Sequence, residues 1–120
     1  MNNITIIPIK NLPEFKPEHD LVNEIIKSFD QNNIVIENND VIVITQKIIS
    51  KSEDRLIDIE DKDIDELIKR ESLEILRKRG DTVIARTKHG FICANAGIDK
   101  SNIKKGSVLL LPEDPDKTSR

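Results

Sequence analysis

Two uninterrupted aliphatic runs, at residues 41–44 and 108–111, constrain the fold of this 120-residue chain more than any other feature. A continuous apolar run, unlike an alternating one, is typical of a strand that is covered on both faces. We therefore expect residues 41–44 to form a central strand, and residues 108–111 to form a second buried strand that ends at Pro112. Such strands need non-local pairing, and the sequence does not specify which segments pair.

Shorter segments rich in apolar and β-branched residues predict further strands. Pro8 lies within the first of them and favours an edge strand or a strand end there. The last two are joined through residues 87–90, so they are candidates for a hairpin. The segments are residues 4–9, 34–36, 56–59, 82–86 and 91–94.

Two main helices are predicted. Asp20 is placed to cap the first, whose apolar positions between residues 21 and 29 fall on one face. In the second, apolar residues recur at helical spacing from Ile64 to Leu76, and basic residues near its end suit the negative end of a helix dipole before Gly80. The predicted fold class is α+β (mixed α/β), with a mixed β-sheet of several strands and two main helices.

Length and composition limit the number of domains and the kinds of partner. The 120 residues suffice for one modest domain, residues 1–120, and exclude a second full domain. The net charge is -3 with both signs interspersed, and three Phe without any Trp or Tyr cannot form a stacking platform for bases. A nucleic-acid partner is therefore not expected.

The sequence also predicts where the protein resides. The amino terminus lacks a basic region followed by an apolar run of signal-peptide length, and no apolar run approaches the length needed to cross a bilayer. The single cysteine, Cys93, cannot form an internal disulfide. We expect a cytoplasmic protein without a membrane partner, in which Cys93 is reduced and acts as a small buried hydrophobe.

Within residues 89–102 an apolar strand is followed by a series of small and polar residues, which is typical of a binding loop. Gly97 can adopt positive φ and lets the backbone approach another group closely. Asp99, Ser101 and Asn102 then offer a carboxylate, a hydroxyl and an amide. An ordinary Asx or Ser turn at a strand end uses the same residue types, and the types alone favour that interpretation. His89, beside a glycine, is predicted to be an exposed turn residue rather than a metal ligand or a base.

Lys47 and Lys51 directly follow the run at residues 41–44. Two ammonium groups beyond a buried strand can hold phosphate oxygens, although solvated lysines are commoner. Neither a P-loop nor a dinucleotide-binding glycine motif is present, so any nucleotide site is built differently. Asp99 can bind Mg²⁺ or Mn²⁺ through an oxygen, but one carboxylate does not specify a metal site by itself.

Five segments resemble, in their residues and in their order along the chain, the coenzyme F420-0:γ-glutamyl ligase family, specifically its amino-terminal half. They span nearly the whole chain. The segments are residues 12–13, 40–51, 70–72, 89–102 and 111–116.

The resemblance implies a GTP-dependent ligase that adds L-glutamate to coenzyme F420-0 by forming an amide bond through an acyl phosphate. It implies Mg²⁺ or Mn²⁺, with K⁺ as a further candidate cation, and a homodimer. Asp99 would ligate the metal, and no catalytic residue is assigned. The residues that would contact GTP by position are Leu12, Pro13, Glu14, Phe15, Gln46, Lys47, Lys51 and Asn102.

The chain departs from the family in one large respect. After the Asp-Pro-Asp segment the family continues into a strand with further metal ligands, an Asp followed by Thr or Ser, whereas this chain ends at Arg120. We therefore expect an incomplete or split form of the ligase, with the carboxy-terminal half absent. The alternative is a non-catalytic nucleotide-binding or dimerisation domain that pairs with a separately encoded carboxy-terminal half.

Overall fold

Short helices and two small antiparallel sheets build the fold in the computed structural model, which describes residues 3–59, 64–99, 101 and 106–120. This arrangement confirms the α+β fold class. The helices and strands are α1 (Leu21–Gln31), α2 (Gln46–Ser52), β1 (Leu56–Asp58), α3 (Ile64–Arg70), β2 (Ser72–Arg79), β3 (Thr82–Thr87), β4 (Ile92–Ala94), a 3-10 turn (Asn95–Gly97), β5 (Ser107–Leu109) and α4 (Pro115–Thr118).

The core lies where α3, β3, the 3-10 turn and β5 meet. All of its members are aliphatic, as the composition predicts. The buried residues of this cluster are Leu67, Ile68, Val83, Ala85, Ala96, Ile98, Val108 and Leu110.

Strand β5 is covered and paired on both sides, so the prediction of a buried strand near residues 108–111 is confirmed. On one side β5 pairs antiparallel with β1, with Leu56 opposite Leu109. On the other side the Asp99 amide donates to the Leu109 carbonyl at 2.9 Å, and the Leu109 amide donates back at 3.0 Å. The predicted short strand at residues 56–59 is thus confirmed as the partner of β5.

Helix α1 begins as predicted. The Asn23 amide donates to Oδ1 of Asp20 at 3.1 Å, so Asp20 satisfies a backbone donor of the first turn. Phe29 on the inner face of the helix is buried.

The predicted second helix is wrong beyond Arg70. Strand β2 follows at once and pairs with β3 through a two-residue turn, Gly80 and Asp81, in which Gly80 has φ +58°. The apolar positions of β2 fit a helical spacing as well as a strand, and the two-residue turn places β2 directly beside β3. Pairing with the largely buried β3 therefore decides the conformation. The predicted hairpin of residues 82–86 and 91–94 is confirmed as β3 and β4.

The predicted central strand at residues 41–44 is also wrong in the described part of the chain. These residues are not assigned to a strand, and Val41 and Val43 are 83% and 88% exposed. The predicted strands at residues 4–9 and 34–36 are likewise absent. A strand requires a neighbour that accepts and donates its backbone hydrogen bonds, and none of the described strands pairs with these segments.

No helix in the described ranges has both the length and the apolar character that a membrane crossing would require.

Gly97 has the close approach that its position in the sequence predicts. A Cβ at this residue would lie 2.6 Å from Cδ1 of Leu111, and the backbone has φ +75°. We expect Gly97→Ala to lower the free energy of unfolding by about 2–4 kcal/mol, because overpacking adds to the strain of a left-handed backbone. Urea denaturation measures this loss.

Gly80→Ala is the matched control. Gly80 also has positive φ, but a Cβ there meets no atom within 4 Å. The Gly80→Ala variant should lower the free energy of unfolding by only about 1–2 kcal/mol, the cost of a side chain on a left-handed backbone. Equal losses in the two variants would show that the contact between Gly97 and Leu111 is unimportant.

Candidate functional site

Helix α2 presents Lys47 and Lys51 on one face, because residues four apart lie one above the other on a helix. This helix was not predicted; the sequence indicates only polar groups after an apolar run. Ser50 of the same helix is fully buried, which seats the helix against the rest of the protein. The two ammonium groups therefore point to a common surface.

Lys47 contacts the loop that residues 89–102 were predicted to form. Its Nζ lies 2.8 Å from Oδ2 of Asp99. The other carboxylate oxygen of Asp99 accepts hydrogen bonds from the amide and the hydroxyl of Ser101, each at 2.7 Å. These contacts, the Lys47 bond first among them, lower the pKa of Asp99 to about 2. Asp99 is thus a fixed and fully ionised carboxylate at neutral pH.

Lys51 contacts the loop at residues 12–15. Its Nζ donates to Oε1 of Glu14 at 3.0 Å, and this bond lowers the pKa of the Glu14 carboxyl group. Glu14 is 79% exposed, whereas the next residue, Phe15, is 4% exposed and meets the ring of His19 edge-on. Phe15 therefore anchors the loop, whereas the neighbouring Glu14 side chain remains accessible to solvent.

Gln46 fixes the first turn of α2 to the chain beyond β5. Its Nε2 donates to Oγ of Ser50 at 2.6 Å and lies 3.4 Å from the Leu110 carbonyl. Since Leu109 pairs with Asp99, the same short segment positions both the helix with the lysines and the carboxylate that faces them.

The structure brings most of the residues predicted by resemblance to one place. Glu14, Gln46, Lys47, Lys51 and Asp99 are joined by the contacts above. Leu12 is half-buried and Pro13 is exposed, and both lie in the Glu14 loop. The side chain of Phe15 is buried beneath this loop. Asn102 lies outside the described residues.

Asp99 fits a divalent cation as a single ligand. Mg²⁺ is commonly held by one or two carboxylates, with phosphate oxygens and water completing the shell. Among the described residues no group of three His, Cys, Asp or Glu side chains could hold a metal ion. A cation at Asp99 would therefore depend on ligands from phosphate and water, and Lys47 would have to move away from Oδ2.

A buried ion pair that the sequence did not predict lies behind this site. Nη2 of Arg55 lies 2.7 Å from Oε2 of Glu71, which is 6% exposed. Arg55 Nε also donates to the Leu111 carbonyl at 2.9 Å, so the pair connects the residues after α2 with the end of α3 and with the segment after β5. In the sequence, Glu71 stands out only as part of the motif at residues 70–72.

His89 is half-buried, so its prediction as an exposed residue is wrong, although it does lie in the turn after β3. Its Nε2 donates to the Pro112 carbonyl at 2.7 Å, and its ring stacks on Phe91. It therefore ties the β3–β4 hairpin to the loop after β5. Cys93 is a free cysteine, and burial raises the pKa of its thiol.

Comparison with known proteins assigns this α+β chain to a class of ligases. The family model described as F420-0:Gamma-glutamyl ligase matches residues 10–120. The chain belongs to this family, as its motifs predict.

Individual relatives are named coenzyme F420:L-glutamate ligase. The protein of Methanothermobacter thermautotrophicus is 34% identical over 130 residues, which cover 94% of this chain and 52% of the relative. That of Methanopyrus kandleri is 32% identical and covers 98% of this chain and 51% of the relative. That of Methanocaldococcus jannaschii is 40% identical over 101 residues, 70% of this chain and 40% of the relative. The chain thus spans about half the length of these relatives or less.

The ionisation of Asp99 tests the contact with Lys47. In Lys47→Met we expect the pKa of Asp99 to rise from about 2 towards its ordinary 3.8, staying below it because the Ser101 bonds persist. A carboxyl group whose pKa is lowered by folding stabilises the folded protein above pH 3.8. This contribution to the free energy of unfolding is lost as the pH falls towards 2. Titration of the Asp99 carboxyl carbon by NMR measures the change.

Lys51→Met is the control, since Lys51 contacts Glu14 instead of Asp99. It should leave the Asp99 titration unchanged. An Asp99 pKa that responds equally to both variants would contradict the separate pairing of the two lysines.

The buried pair of Arg55 and Glu71 predicts a large loss of stability when one partner is removed. Arg55→Met should lower the free energy of unfolding by about 3–5 kcal/mol, because it leaves the Glu71 carboxylate buried without its closest partner. Arg70→Met removes a half-exposed arginine that lies 3.4 Å from the same carboxylate, and should cost less than about 1 kcal/mol. Similar losses in urea denaturation would show that Arg55 has no special role.

Proposed function

We propose that this chain holds part of the GTP site of a ligase that joins L-glutamate to coenzyme F420-0. The observation that carries the proposal is the convergence of Lys47, Lys51, Asp99 and the Glu14 loop on one surface, at positions where the family resemblance implies nucleotide and metal contacts. The names of the relatives support the ligase reaction and its substrates.

The proposed reaction has two steps. A carboxylate oxygen of F420-0 attacks the γ-phosphorus of GTP, the bond from that phosphorus to the bridging oxygen of GDP breaks, and an acyl phosphate forms. The amino group of glutamate then attacks the acyl carbon, the carbon–oxygen bond to phosphate breaks, and the amine loses a proton. The products are the amide, GDP and inorganic phosphate.

Within this reaction Lys47 and Lys51 bind and orient phosphate oxygens as point charges. Catalysis of phosphoryl transfer depends mostly on positioning and on neutralising charge, which two cations on one short helix are suited to do. A divalent cation, Mg²⁺ or Mn²⁺, would add further neutralisation when bound at Asp99. Glu14 and Asp99 keep the lysines extended towards the surface until an anionic ligand replaces these contacts.

The proposed site is partial. The chain spans about half the length of its relatives, and we assign no catalytic residue within it. Full activity then requires the rest of a ligase, either continuous with this chain or supplied separately. Glutamylation of F420-0 by the purified 120-residue chain alone would contradict this part of the proposal.

A second candidate function follows from the same difference in length. The chain would be a non-catalytic nucleotide-binding or dimerisation domain, because one carboxylate and two lysines have few means of organising a transition state. The neighbouring reading frame separates the two. A neighbouring frame that encodes the remaining half, with its Asp-Thr strand, favours the split ligase, and the absence of that half both from such a frame and in continuation of this chain favours the binding domain.

Nucleotide binding is the direct test of the first proposal. In calorimetric titration with Mn²⁺ present, we expect saturable binding of GTP that is tighter than binding of ATP. Lys51→Ala should weaken GTP binding about tenfold or more, because a hydrogen bond to a charged group contributes about 1.5–3 kcal/mol.

Lys27→Ala is the matched control, since Lys27 lies on α1 in an exposed pair with Glu24. It should bind GTP like the unmodified chain. Equal binding of ATP and GTP would indicate a general nucleotide-binding regulator instead. The absence of any binding heat from a folded chain would contradict the proposed site.

A further inference from the structure

Three apolar segments of the chain lie open to solvent, namely residues 4–9, 34–36 and 41–44, which we call the open segments. They contain nine isoleucine or valine residues that are each more than a third exposed. The exposed residues are Ile4, Ile6, Ile7, Val35, Ile36, Val41, Ile42, Val43 and Ile44. Exposed aliphatic surface on this scale is typical of an interaction site rather than of a free surface.

The backbones of two of the open segments also lack backbone partners, whereas in the third the Ile34 amide donates to the Phe29 carbonyl at 2.9 Å. In the described part of the chain, no backbone–backbone hydrogen bond involves residues 4–9 or 41–44. Unpaired donors and acceptors along an apolar, β-branched segment are a template for an added strand. The sequence pattern that predicted a central strand at residues 41–44 is therefore suited to a strand that completes its sheet with another polypeptide.

The chain is less compact than an ordinary domain of the same length. Its radius of gyration is 17.1 Å, whereas a compact domain of this length has about 14 Å. The relatives are about twice as long as the matched chain. They thus possess a further segment of roughly this chain's size.

Both faces of residues 41–44 are uncovered. Successive side chains of an extended segment point to opposite faces, and Val43 and Ile42 are 88% and 48% exposed. In a two-fold dimer the same patch faces itself, so a second copy would cover one face and leave the other open. A partner that adds strands beside this segment and packs on both faces fits better.

We propose that the open segments are the docking surface for the part of the ligase fold that the relatives possess and this chain does not span. The partner adds strands to residues 41–44 and buries the aliphatic side chains on both faces. This proposal is independent of nucleotide binding, because it rests on exposure, backbone pairing and length.

The test uses the full chain and, as the partner, the part of the Methanothermobacter thermautotrophicus ligase outside the matched region. We expect a complex with one copy of each, measured by light scattering after gel filtration. Hydrogen exchange at the amides of residues 41–44 should be fast in the chain alone and at least tenfold slower in the complex.

Matched variants locate the surface. Val41→Lys combined with Val43→Lys should weaken the complex at least tenfold and leave the circular dichroism of the chain unchanged, because both side chains are exposed. Leu73→Lys, at a residue of β2 that is 65% exposed, should bind the partner normally.

Four results would overturn the proposal. Slow exchange of residues 41–44 in the monomeric chain would show that the chain covers them itself. A homodimer that the double variant abolishes would assign the surface to a second copy. A complex lost in Leu73→Lys but retained in the double variant would place the interface on β2. The absence of any complex with a folded partner would exclude the stated occupant.

Discussion

Strand β5 and the two residues after it are the constraint on which the rest of the structure depends. Val108, Leu109 and Leu110 are buried in the core, so this segment cannot move without exposing it. Its backbone reaches the site elements directly, because it pairs with β1 and Asp99 and accepts hydrogen bonds from Gln46 and Arg55. The side chain of Leu111 lies against Gly97. A short apolar strand thus holds the lysine helix and the facing carboxylate at a fixed separation.

The charged groups of the site neutralise one another. Lys47 is paired with Asp99 and Lys51 with Glu14, and both pairs are partly accessible to solvent. Ion pairs at such accessible positions contribute about 0–1 kcal/mol, so exchanging a carboxylate for phosphate oxygens costs little. An anionic ligand with a cation at Asp99 would replace both pairs and preserve the balance of charge. The buried pair of Arg55 and Glu71 has a different function, since it connects elements of the fold and exposes little surface to a ligand.

Local patterns in the sequence predicted part of the local structure, although the strands predicted at residues 4–9, 34–36 and 41–44 are not formed. The Asp20 cap, the β3–β4 hairpin, buried strand β5 and the close approach at Gly97 each follow from a few neighbouring residues. The helix predicted up to Gly80 failed because the spacing of Ile75 and Leu76 suits both conformations, and pairing with β3 decided between them. For the site, residue types alone indicated Lys47, Lys51 and Asp99 as candidates, but which residues meet could be predicted only from family resemblance, because Lys47 and Asp99 meet through a fold that no local spacing encodes.

The most direct measurement of the central claim, that GTP and a divalent cation bind where α2 faces Asp99, is paramagnetic broadening of amide NMR signals by Mn²⁺ in the presence of GTP. The account predicts the strongest broadening at Gln46–Ser52 and at Asp99 and Ser101, with the hairpin turn at Gly80 unaffected. Broadening centred on that turn or on other acidic surfaces, or broadening that Asp99→Asn leaves unchanged, would contradict it.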